Sequence, residues 1–171
     1  AYDLIEQDLI VPFEEVIETE AEEAWLDGFY PALMANGAIE GQTWGVPFQR
    51  STIVAYYNKD MFRAAGLDPE DAPETWDELV EMGAALTTDE THGLMIPSTG
   101  YPYWMFQALA IQNGKELMTS DGLQTNFDDP EVVEALEFWR SLSAEHGIMP
   151  AGTVEWGTLR QAFLEGETAM M

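Results

Sequence analysis

Cysteine is absent from the 171 residues, so disulfide cross-links and thiol chemistry are excluded, and stability must come from packing alone. Basic residues are nearly absent as well. Six Lys and Arg stand against 32 Asp and Glu, giving a formal net charge of −26. A nucleic-acid partner is excluded on that ground, because binding phosphate backbones needs cations to displace condensed counterions. An anionic membrane surface is disfavoured for the same reason. No apolar run approaches the roughly 18 residues of a membrane span, and no basic-then-apolar leader opens the chain. Both termini read as the middle of an element, "AYDLIEQDLIVPF" at one end and "GETAMM" at the other, so a piece of a longer protein is expected.

What is present describes a folded domain. Apolar residues make up 46% and aromatic residues 12%, with six Trp, which is more burial capacity than a disordered chain carries. The acidity keeps such a chain soluble and suits a saline medium, where salt screens the self-repulsion.

Helical and strand patterns alternate, which places the chain in the α/β class. Residues 1 to 40 read as mostly helical, with the acid run "EEVIETEAEEAW" around Val16, Ile17, Ala21 and Trp25. Strands are expected over Trp44–Pro47 and Thr52–Tyr57, which are rich in β-branched and aromatic residues. "NKDMFRAAGLDP" predicts a short helix stopped at Gly66, with Pro69 beyond it. In "PETWDELVEMGAAL", Thr75 and Glu78 form a capping box, and Trp76, Leu79, Val80 and Leu86 form the apolar stripe. "GLMIP" reads as a buried strand and residues 101 to 113 as a helix headed by aromatics. In "FDDPEVVEALEFWRSLSAEHG", Asp129 is the expected cap, Pro130 the first helical residue and Gly147 the stop. A last helix covers Trp156 to Glu165, and "TAMM" begins a strand.

Two windows contain no acid at all: Gly41 to Lys59 and Thr91 to Lys115. Burial accounts for charge exclusion in such windows, but not for their polar content. Gln49, Arg50, Ser51 and Thr52 are four consecutive hydrogen-bonding side chains. Ser98, Thr99, Tyr101, Tyr103 and Trp104 cluster between the end of a strand and the start of a helix, where α/β folds bind small ligands. Aromatic faces beside hydroxyls suit a polyol, the ring covering C–H groups while polar groups bond the hydroxyls. Arg50 offers a fork for phosphate or carboxylate; the competing reading pairs it with one of the many acids.

The remaining motifs carry less. His92 and His146 each precede a glycine and suit capping or solvated roles, and "DPEDAPE" lacks the spacing and central glycine of a calcium loop. "IPSTG" is not a nucleophile elbow. No metal and no cofactor is expected.

Three stretches in order resemble the extracytoplasmic solute-binding proteins of ABC importers, in particular the sugar and glycerol-phosphate group. They are "WGVPFQRSTIVAYYNKDMFRAAGLDPEDAPETWDELVEMGAAL", "YPYWMFQALAIQNGKEL" and "LRQAFLEGETAMM". The resemblance implies a periplasmic-binding-protein-like type II α/β fold, two-lobed and hinged, of which this chain is an incomplete part. Residues 1–50 would end the first lobe, 51–57 form a hinge-crossing strand, and 58–171 make up most of the second lobe. It also implies a non-catalytic protein, periplasmic or extracytoplasmic, soluble or lipid-anchored, monomeric, and partnered by permease subunits. The ligand would be a sugar or a polyol phosphate such as glycerol 3-phosphate. Ligand contacts carry over to Ser51 from the hinge motif, and to Tyr103 and Trp104, with Tyr101, from the aromatic helix. Gln49 and Arg50 depart from the Asn-Ser of the glycerol-phosphate pattern, and Arg50 there would suit an anionic ligand. The alternatives are a binder of neutral oligosaccharides, a carbohydrate-active enzyme and a sensory ligand-binding module.

Overall fold

The computed structural model describes residues 2–171. They divide into two compact units, the first ending at Thr52 and the second running Ile53–Met171.

The first unit is built of short pieces: helices α1 (Tyr2–Glu6), α2 (Glu20–Asp27) and α3 (Pro31–Met34), and a two-residue hairpin of β1 (Ala38–Ile39) and β2 (Gln42–Thr43). Helix α2 begins with a reciprocal capping box. The Thr19 hydroxyl accepts from Glu22 N–H, and the Glu22 carboxylate accepts from the N–H groups of Glu18 and Thr19, each at 3.0 Å. Glu14 receives Thr43 N–H on both carboxylate oxygens at 3.0 Å, tying the first turn to the hairpin. The apolar centre expected around Val16, Ile17, Ala21 and Trp25 does not form. Ile17 is half-buried and the other three are exposed, and Trp25 instead contacts the rings of Phe13 and Phe29. A piece this small has too little volume per unit surface to seal a core. The strand expected at Trp44–Pro47 is also displaced: pairing is confined to Gln42–Thr43. Trp44 N–H bonds the Gly37 carbonyl at 2.8 Å, and Pro47 has no N–H to give.

The second unit carries the core. Its helices are α4 (Lys59–Ala64), α5 (Trp76–Leu86), α6 (Pro102–Gln112), α7 (Pro130–Ala144) and α8 (Trp156–Glu165), with strands β3 (His92–Leu94) and β4 (Thr168–Met170). The sheet is centred on β4. Strand β3 pairs with it in parallel, His92 opposite Thr168 and Leu94 opposite Met170. On its other side, Tyr56 and Met171 exchange both backbone bonds at 2.9 Å, and Asn58 N–H reaches Ala169. Only the end of the expected Thr52–Tyr57 strand is therefore paired, because residues 52–55 meet no partner strand among the described residues.

Phe62, Leu86, Leu94, Leu142, Ile148 and Met170 form the main buried cluster, and Leu109, Ala110, Val132 and Ala135 a second one. Trp76 joins them: its indole stacks on Phe138 at 4.1 Å and 6°, and its N–H donates to Gln112. Helix α5 starts at the capping box of Thr75 and Glu78, as the sequence predicts. Asn58 caps α4 through its side chain, and Gly66 follows with φ 79°. At α7, Asp129 holds the N-cap position but makes no side-chain cap bond; its carboxylate pairs with Lys115 instead. Two charged groups within reach outbid a cap at that position. His92 differs from expectation too: it lies in β3, half-buried, with its Nδ1 enclosed and without a partner.

Candidate functional site

The second acid-free window ends a strand and begins a helix, and the structure folds it against a segment far away in sequence. Ser98 N–H donates to the Val154 carbonyl and Val154 N–H to the Ser98 hydroxyl, both at 2.9 Å. The next hydroxyl, Thr99 Oγ1, donates to Glu155 Oε2 at 2.9 Å and accepts Trp156 N–H at 3.0 Å. The hydroxyls of Ser98 and Thr99 are thus engaged with the 154–156 strap. Gly100 follows at φ 76°, a backbone state that costs glycine little. A Cβ there would lie 3.0 Å from the Cβ of Trp156.

This crossing assembles four rings. Tyr101 lies parallel to Trp104 at 4.2 Å and 13°, edge-on to Trp156 at 5.7 Å and 83°, and edge-on to Tyr103 at 6.4 Å. Tyr103 meets Trp104 at 5.4 Å and 66°. These are the offset-stacked and edge-to-face contacts that aromatic quadrupoles favour. The cluster is not core. Tyr101 is 45% exposed, Tyr103 55%, Trp104 38% and Trp156 42%. Helix α6 divides its length accordingly: Met105, Leu109 and Ala110 face inward while the aromatic head stays open to solvent. Trp156 is the member that sequence reasoning missed. It lies 52 residues beyond Trp104 and no local motif marks it; its position as the first residue of a helix, beside Glu155, was the one available sign.

The first acid-free window begins in the first unit. Gln49, Arg50 and Ser51 are exposed and outside regular structure, and Phe48 has no cover at all. Burial therefore does not explain the missing acids at 48–52. Arg50 pairs with no carboxylate among the described residues; its Nη2 donates to the Leu33 carbonyl in the last turn of α3 at 2.5 Å. That bond uses one of five guanidinium donors and leaves the rest available. The side chains of Gln49 and Ser51 make no hydrogen bond among the described residues.

Four of the six cations are matched to acids: Lys59 with Glu70, Arg63 with Asp60, Lys115 with Asp129, and Arg140 with Glu145. Hydrogen bonds to those carboxylates raise the pKa of Lys59 and of Lys115. The charged residue that precedes Trp156 is an acid, Glu155, which accepts from the Thr99 hydroxyl. Two cavities are present, the first of them reaching Ser98. One of about 410 Å³ runs between α7 and the 149–152 loop, lined by Leu136, Trp139 and Met149. The other, about 630 Å³, is in the first unit and acidic, with Glu14, Glu20 and Glu23 on its wall. Neither is lined by Gln49, Arg50, Ser51 or the four rings. No group of acids and histidines among the described residues is arranged to hold a metal ion, and no described helix is long and apolar enough to cross a membrane.

Residues 1–171 match the family model of the bacterial extracellular solute-binding proteins. The chain is 30% identical over 153 residues to the sn-glycerol-3-phosphate-binding periplasmic protein of Pectobacterium atrosepticum, covering 85% of this chain and 32% of that one. It is 39% identical over 131 residues to a probable amino-acid ABC transporter periplasmic-binding protein of Sinorhizobium fredii, covering 74% and 30%. Its structure is similar to that of an ABC transporter solute-binding protein from Thermotoga lettingae bound with alpha-D-tagatose. The TM-score there is 0.78 at 25% identity, over 98% of this chain and 43% of that one. The chain thus spans about a third of the length of these curated relatives. The α/β, periplasmic-binding-protein-like fold expected from the resemblance is the fold it shares, in part, with that structure.

Proposed function

The chain belongs to the bacterial extracellular solute-binding protein family, and on that premise we propose that it is part of the substrate-binding component of an ABC importer. It captures a sugar or a polyol phosphate outside the cytoplasm and delivers it to permease subunits, without catalysis. In this reading residues 1–50 end the first lobe, 51–57 cross between lobes, and 58–171 form most of the second. Ligand enclosure follows from closure of the two lobes.

One observation carries the ligand class: an exposed cluster of Tyr101, Tyr103, Trp104 and Trp156 where the starts of α6 and α8 meet. A contiguous aromatic surface left open to water marks a binding site, and ring faces suit the C–H side of a pyranose or polyol. Gln49, Arg50 and Ser51, exposed and with side-chain donors to spare, are the polar candidates for ligand contact in this reading. Two finer readings divide on charge. The glycerol-phosphate relative favours a phosphate ester, with the free donors of Arg50 as its fork. A neutral saccharide is favoured by Glu155, the acid next to Trp156 and bonded to Thr99, which would repel a phosphate placed there.

The test is a thermal-shift panel on the full-length protein with tagatose, maltotriose, sn-glycerol 3-phosphate and glycerophosphocholine. A ligand that binds the folded state raises the melting temperature by mass action. A rise with at least one saccharide or polyol phosphate supports the reading. A flat response across the panel, with amino acids raising the temperature instead, would refute it.

A further inference from the structure

We propose that Thr99 is a positioning residue: its hydroxyl, with the bare Cα of Gly100, sets the ring of Trp156 as one wall of the aromatic platform. This rests on the platform being the ligand surface, and it goes beyond that reading by assigning work to a side chain that touches no ligand.

The geometry is specific. A threonine hydroxyl has one proton to give and lone pairs to accept with. Thr99 gives the proton to Glu155 Oε2 at 2.9 Å and accepts the backbone N–H of Trp156 at 3.0 Å. One atom therefore holds two consecutive residues of the strap, the second being the first residue of α8. That N–H is one of the orphan donors of a helix start, and Thr99 satisfies it from outside the helix. The Ser98 and Val154 pair anchors the strap one residue earlier, through two bonds at 2.9 Å. Gly100 then removes the Cβ that would meet Trp156 at 3.0 Å, so the indole can approach the chain closely.

Tyr101 completes the arrangement from the same tetrapeptide. It is the one ring here in contact with each of the other three, parallel to Trp104 and edge-on to Trp156 and Tyr103. Residues 98–101, "STGY", thus form a bracket: two hydroxyls fix the strap, a glycine makes room, and a tyrosine spaces two tryptophans. The functional gain is preorganisation. A ring that is fixed before ligand arrives loses less entropy on binding than one that must be ordered.

The experiment compares Thr99→Val, Thr99→Ser and Glu155→Ala with the wild type in the full-length protein. The readouts are near-UV circular dichroism and the affinity for whichever of tagatose, maltotriose and sn-glycerol 3-phosphate shifts the wild-type melting temperature. Thr99→Val keeps the shape and removes the hydroxyl. It is expected to reduce the aromatic dichroism and weaken binding about ten-fold, with far-UV dichroism unchanged. Thr99→Ser restores both, and Glu155→Ala, which removes the acceptor from an exposed position, falls between. If Thr99→Val does not fold, the Ser rescue and the Glu155→Ala loss carry the test. Wild-type dichroism and affinity in Thr99→Val, or in Glu155→Ala should the former not fold, would overturn the proposal. If no probe binds the wild type, the ligand reading fails while the dichroism still decides the bracket.

Discussion

Gly93→Ala is the substitution whose cost the structure states most directly. Strand β3 passes helix α5 so closely that Gly93 has no room for a side chain. A Cβ on Gly93 would lie 2.0 Å from the Gly83 carbonyl oxygen and 2.6 Å from its carbon. Ordinary contact begins near 3.4 Å, so the added methyl is about 1.4 Å too close. The obstructing atoms are backbone and cannot swing aside as a side chain would. They are also pinned, because the Thr87 hydroxyl accepts Gly93 N–H at 3.0 Å and donates to the Gly83 carbonyl at 2.8 Å. Relief requires moving α5 off the sheet, and Gly83 itself backs onto Ile148 in the core. Overpacking typically costs 1–3 kcal/mol, and a rigid obstruction puts this site at about 3 kcal/mol or more. For a chain of this length that corresponds to a melting temperature roughly 6–12 °C lower. Gly157→Ala is the control: it lies in the first turn of α8 with open space around it and ordinary φ, so it should hold or gain a few tenths of a kcal/mol. Thermal denaturation followed by far-UV dichroism reads both. A fall under about 2 °C for Gly93→Ala would mean that α5 and β3 do not approach as described, and the placement of the sheet under α5 would have to be abandoned.

The other predictions concern the site and the charges. Trp104→Ala is expected to weaken ligand binding by about 1 kcal/mol or more with the fold retained; loss of cooperative melting would return Trp104 to the core. Arg50→Gln should lower affinity for sn-glycerol 3-phosphate about ten-fold and spare tagatose, whereas equal losses would confine Arg50 to its Leu33 bond. Glu22 has its pKa lowered from 4.5, chiefly by the Glu18 N–H and then by the Thr19 hydroxyl and N–H. The sign follows: a depressed carboxylate stabilises the fold above its unfolded value, and that contribution is lost as pH falls through the folded value. Exchange protection at the Glu18 and Thr19 amides should therefore outlast the ordinary carboxylate value and be lost as pH falls through the depressed one, while Thr75 at the equivalent cap is followed as a comparison; protection that persists at the lowest pH would refute the capping-box account of α2.

Most of the local structure was legible in the sequence because its causes are local. The Thr75–Glu78 box, Gly66 after α4 and Pro130 at the start of α7 each act within four residues, so spacing alone reveals them. The family resemblance rests on contiguous runs for the same reason. What the sequence misplaced depended on partners. Trp44–Pro47 has strand composition but is held only at Trp44, by the Gly37 carbonyl, among the described residues, and Thr52–Tyr57 pairs only where it meets β4. Asp129 occupies a cap position, yet Lys115 takes its carboxylate. Ser98 and Thr99 look like ligand groups until the strap at 154–156 folds over them. Trp156 joins the aromatic cluster through hydrogen bonds across 57 positions. Composition and spacing determined that this acidic, cysteine-free α/β chain carries an acid-free aromatic helix head. Only tertiary structure decided which hydroxyls remain free and which rings stand together, because a hydrogen bond or a stacked pair is set by distance in space, and the periodicities of helix and strand carry no record of it.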